Sequence, residues 1–72
     1  MTRPPFIVAQ SGLFGTLKRR YTDDVGVSRV VIRCGGPSGW LEEVPAAECK
    51  QLRALDEDEA RDEAREWLQQ RR

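Results

Sequence analysis

Two thiols, a serine among glycines, a pair of adjacent glutamates and an acidic run are the side chains here whose types could do covalent, acid–base or metal chemistry. Cys34 and Cys49 lack the C-x-x-C spacing of redox and zinc motifs. The chain has no histidine, so a tetrahedral zinc site would need more sulfur than two cysteines supply. Both thiols read as small buried hydrophobes. Ser38 lies in G-P-S-G rather than G-x-S-x-G, with no histidine to activate it. Glu42 and Glu43 fail as a general acid and base on geometry, because neighbours in a strand point to opposite faces. The run DEDEARDE could mimic phosphates or hold a cation. It lacks the glycine and ligand spacing of a calcium loop, however, and reads as the solvated start of a helix.

The cluster GGPSG, residues 35–39, could cradle a phosphate only if a helix N-terminus came directly after it. Instead the next residues are WLEEVP, a strand-like run, and the spacing matches neither glycine-loop fingerprint. These glycines are expected to turn the chain between two strands. With no activated nucleophile, metal constellation or phosphate loop, the expectation is a protein that is not an enzyme and holds no cofactor and no metal.

Charge is then the remaining lead. The chain carries 12 Lys/Arg and 12 Asp/Glu and sums to zero. Residues 1–34 nevertheless hold six cations (Arg3, Lys18, Arg19, Arg20, Arg29, Arg33) against Asp23 and Asp24, or +4, which leaves −4 for residues 35–72. A neutral total argues against a dedicated nucleic-acid binder, whose domains are usually basic, but the segregation allows a local basic patch.

The elements that position these charges follow from pattern and turn chemistry. Seventy-two residues make one small domain: residues 1–5 a tail, 6–52 a β-rich core and 56–72 a C-terminal helix. FIVA (residues 6–9) is apolar on both faces and reads as a central strand. TLKRRYT and VSRVVIRC alternate, and between them Asp23 and Gly26 occupy the first and fourth positions of a type I turn. A four-residue loop pairs Thr22 with Val27, Tyr21 with Ser28, Arg19 with Val30 and Leu17 with Ile32. In that register Arg20 faces Arg29, with Lys18 and Arg33 on the same side, and Arg19 falls awkwardly on the apolar side. Like charges directly across a ladder are destabilising. Either the chain's own acids (Glu42, Glu43 or residues 56–59) neutralise the patch, or an external partner does.

Pro45 suits the start of a short helix or 3₁₀ turn. The final segment has Asp56 as an N-cap, acids in its first turn and Arg71 and Arg72 at its end, as the macrodipole favours. Its narrow stripe of Ala60, Ala64, Trp67 and Leu68 implies docking by the C-terminal half. The order of strands and turns over residues 6–52 resembles an SH3-like barrel, in which a 3₁₀ turn precedes the last strand. The expected architecture is therefore α+β: a small bent antiparallel sheet or SH3-like partly open barrel of four to five short strands, then a C-terminal α-helix.

The functional expectation is a small cytoplasmic protein that regulates or inhibits a partner protein through a charged surface, of the kind carried by bacterial mobile elements or phage. Its binding residues would be Lys18, Arg20, Arg29, Arg33 and Trp40. Two alternatives are an SH3-like nucleic-acid-binding module using the same basic face, and a structural homodimer pairing through Trp67. The segment MTRPPFIVAQ has two prolines and only four consecutive apolar residues, too few for a signal peptide or a membrane span.

Overall fold

A computed structural model of the chain describes residues 4–35 and 39–70. Five strands, β1 (Phe6–Ala9), β2 (Phe14–Thr22), β3 (Ser28–Cys34), β4 (Trp40–Pro45) and β5 (Cys49–Gln51), are followed by one helix, α1 (Glu57–Gln70). They form a single antiparallel sheet in the order β4-β3-β2-β1-β5. A 3₁₀ turn, Ala46–Glu48, separates the last two strands, and Pro45 leads into it in extended conformation. The sheet is bent but does not close into a barrel; β4 and β5 are its two edges. Residues 45–70 therefore hold a 3₁₀ turn, a strand and one helix, and no continuous helix crosses Asp56.

FIVA is apolar throughout because β1 serves two cores. Ile7 points to one side, where it packs with Val30, Ile32 and Cys34, with Leu13, Leu17, Val44, Ala46 and Cys49 around them. Val8 points to the other side, where Leu52, Ala60 and Ala64 meet it, flanked by Phe6, Phe14, Ala54, Trp67 and Leu68. The first core lies on the concave side of the sheet and the second lies under the helix. The predicted stripe of α1 is the one used. Its small members are the most deeply placed: Ala60 and Ala64 are buried, whereas Trp67 and Leu68 are half-buried. Docking by the C-terminal half alone is thus corrected, since two alanines let the middle of the helix approach the sheet closely.

Glu63 fastens the linker to the helix, accepting hydrogen bonds from the backbone N–H groups of Arg53 and Ala54 at 3.1 Å. Bonds to a carboxylate are stronger than neutral ones, and these give the backbone N–H groups of Arg53 and Ala54 a side-chain partner between β5 and α1. The surface pairs of Arg61 with Glu57 (3.5 Å) and Arg65 with Asp62 (3.8 Å) are exposed and contribute little.

Candidate functional site

The hairpin of β2 and β3 fixes where the cations go, and its register differs from expectation between the turn and Arg19. Asp23 and Gly26 do form the turn, with the Gly26 N–H bonded to the Asp23 carbonyl at 3.0 Å. Gly26 has φ +87°, however, and the Asp23 N–H bonds the Val27 carbonyl. This is a three-residue loop closed by Asp23 and Val27, a type I turn followed by a left-handed glycine. Thr22 consequently pairs with Ser28, Tyr21 with Arg29, Arg20 with Val30 and Arg19 with Val31. Carried on unchanged, that register would turn Leu17 out of the core. A bulge at Lys18 absorbs one residue, and Leu17 still meets Ile32 as expected.

The bulge redistributes the expected basic face. Arg20 does not oppose Arg29; it lies on the concave side and donates to Gln51 Oε1. Trp40 pairs with Cys34, on the opposite face from Arg29 and Arg33, and is half exposed at the sheet edge. Lys18 occupies the bulge, beside Thr16, Leu17 and Arg33. Of the five expected binding residues only Arg29 and Arg33 share a face of the ladder. The residues that join them are Arg19 and Tyr21, which sequence reasoning assigned to the core side.

The resulting convex face, beyond the reach of α1, is a grid of three rows across β2, β3 and β4. Thr16, Arg33 and Leu41 form the first, Arg19, Val31 and Glu43 the second, and Tyr21, Arg29 and Pro45 the third. Its third row is internally satisfied. Arg29 Nε donates to Asp23 Oδ2 at 2.8 Å and lies 3.7 Å from Glu43, while the Tyr21 hydroxyl donates to Glu43. That hydrogen bond, with some desolvation, raises the Tyr21 pKa and holds the phenol protonated. The expected internal neutralisation therefore holds for Arg29, through Asp23 and Glu43 rather than the helix acids. The other two cations are differently placed. Arg19 stacks its guanidinium over the Tyr21 ring at 5.0 Å, and Arg33 has no ion pair among the described residues.

Asp23 links turn and site. Its carboxylate takes the Arg29 bond and accepts from the N–H groups of Val27 (2.9 Å) and Val25 (3.1 Å). The Arg29 bond first, and then these backbone bonds, hold its pKa below the usual carboxylate value. A carboxylate so depressed contributes stability that is present above its unfolded pKa, about 3.9, and is lost as pH falls through the lower folded value. Asp23→Asn should therefore lower the urea midpoint at pH 6, and its deficit relative to wild type should shrink as pH is taken towards about 2. A deficit that stays constant across that range would contradict the assignment.

The thiols offer no reactive alternative. Burial is the first cause raising the pKa of both Cys34 and Cys49, so neither is poised as a thiolate. The turn reading of residues 35–39 agrees with the pairing of Cys34 and Trp40 at the ends of adjacent antiparallel strands; Gly36, Pro37 and Ser38 lie outside the described residues, as do Arg71 and Arg72. Trp67, weighed as a dimer contact, packs against its own core. No helix among the described residues is long and apolar enough to cross a membrane. Compared with protein-family models, curated proteins and solved structures, the chain matches none.

Proposed function

We propose that this chain is a non-enzymatic binding protein that regulates a partner protein by docking the convex face of β2, β3 and β4 against it. The observation that carries this reading is the grid itself. Val31, Tyr21 and the half-exposed Leu41 form an apolar centre that α1 leaves uncovered, and Arg19 and Arg33 stand beside it with no carboxylate pair among the described residues. Interfaces favour this composition, with aromatic and apolar groups central and arginine supplying directional polar contacts. The reading places the protein in the cytoplasm, where unpaired cysteines such as Cys34 and Cys49 remain reduced.

The test begins with the protein that co-purifies with the tagged chain, followed by titration of that purified partner. Arg19→Glu combined with Leu41→Asp changes two exposed positions of the grid and should leave the thermal midpoint within a few degrees of wild type. Affinity should fall at least tenfold. Unchanged affinity would overturn the reading. The stacking of Arg19 on Tyr21 keeps a nucleic-acid reading of the same face as the second option. It predicts gel-shift binding that weakens steeply with salt, and no shift at low salt removes it.

A further inference from the structure

Where the helix meets the convex face, a groove of about 290 Å³ opens between Phe14, Thr16 and Arg33 on the sheet and Glu57 and Arg61 on α1. It adjoins a second hollow formed by Thr16, Leu17, Lys18 and Arg33. We propose that this groove receives a glutamate or aspartate side chain from a short segment of the partner protein, clamped between Arg33 and Arg61. This rests on the docking function proposed above and names the chemistry of its partner.

Three observations converge on a carboxylate. Arg33 is half-buried in the groove wall and has no ion pair among the described residues, although every buried polar side-chain atom among them is satisfied. Arg61 is held in place from below, its guanidinium carbon 4.8 Å over the Phe14 ring, which is itself stacked on Phe6. Its fork faces a carboxylate already, since Glu57 Oε2 lies 3.5 Å away. That pair is solvent-exposed on both sides, and exposed pairs of this kind are readily exchanged for another carboxylate. Lys18 adds a third cation in the adjoining hollow, which shares Thr16 and Arg33 with the groove.

The surroundings select a discrete acid over a polyanion. Glu57, Asp58 and Glu59 fill the first turn of α1, and Asp62 lies further along the same helix, so a nucleic-acid backbone leaving the groove on that side would meet like charge. A single acidic side chain on an otherwise apolar segment meets only Glu57, whose place on Arg61 it takes, and its apolar neighbours can rest on Leu41 and Val31, in the grid beside Arg33.

The test is a titration of the ¹⁵N-labelled full chain with a capped hexapeptide carrying two glutamates between leucines, followed by amide correlation spectra. Shifts should concentrate at Phe14, Thr16, Arg33 and Arg61. The same peptide with glutamines, and the Arg33→Gln chain with the original peptide, should each bind at least fivefold more weakly. Glu57→Gln should bind at least twofold more tightly, because the internal competitor is gone. Equal binding of the glutamate and glutamine peptides, or weaker binding by Glu57→Gln, would overturn the proposal. So would stronger shifts at the same amides from an octathymidylate. Loss of partner affinity in the Arg19→Glu/Leu41→Asp chain, with none in Arg33→Gln, would sink the groove while leaving the convex face standing.

Discussion

Gly15→Ala should leave the chain largely unfolded at 25 °C, although the substitution adds a single methyl group. Gly15 lies inside β2, paired with Ile7 on the concave side. A Cβ built there would sit 2.1 Å from the Arg33 carbonyl oxygen and 2.8 Å from Ile32 Cγ2. The first obstacle is backbone, so no rotamer change relieves it, and β2 must move away from β3. Overpacking that forces backbone shifts costs about 1–3 kcal/mol and occasionally more, and this site belongs at the upper end. A core of this size supplies only about 3–5 kcal/mol net. Gly12→Ala is the control: it stands at φ +95° with open space around the added carbon, so it should cost roughly 1–2 kcal/mol for left-handed backbone alone. Circular dichroism at 25 °C and urea midpoints would check the order. A Gly15→Ala chain as stable as Gly12→Ala would contradict the close approach.

That constraint marks the boundary of what the sequence discloses. Gly15 reads as punctuation between strands, since glycine signals a bend more often than a crossing of two backbones, and only the folded chain reveals the Arg33 carbonyl behind it. The elements with strong internal patterns are legible: the doubly apolar β1, the pairing of Leu17 with Ile32, the 3₁₀ turn after Pro45, and the stripe of Ala60, Ala64, Trp67 and Leu68. The candidate site is less so, because a face assignment inverts with a single residue of slip. Glycine at the fourth turn position is a usable signal. In a left-handed conformation it shortens the loop to three residues, which sets Tyr21 beside Arg29. Keeping Leu17 in the core then demands one extra residue within Lys18, Arg19 and Arg20. Those two requirements together imply the bulge, whereas alternation alone places Arg20 opposite Arg29 and gathers the wrong cations.

The alternation of β3 separates stability from binding, and adjacent substitutions there should expose the division. Ile32 is fully buried between Ile7, Val30 and Cys34, and truncating such a side chain typically costs about 2–5 kcal/mol. Against a net stability of about 3–5 kcal/mol, Ile32→Ala should lose the cooperative thermal transition or lower its midpoint by tens of degrees. Val31, its neighbour in sequence, points the other way into the grid, between Arg19 on β2 and Glu43 on β4. Val31→Ala leaves no sealed cavity, because Val31 is only partly buried on an open face of the sheet, so stability should fall by less than about 1 kcal/mol. Its partner affinity should fall nonetheless, since the Val31 methyl groups form the centre of the proposed docking face. Ile32→Ala, by contrast, should affect binding only through the fraction of chain that is folded. Thermal melts together with titrations corrected for folded fraction would separate the two. If Val31→Ala bound as well as wild type while Ile32→Ala lost affinity beyond its unfolded fraction, the working surface would lie on the concave side, and the assignment of faces would have to be reversed.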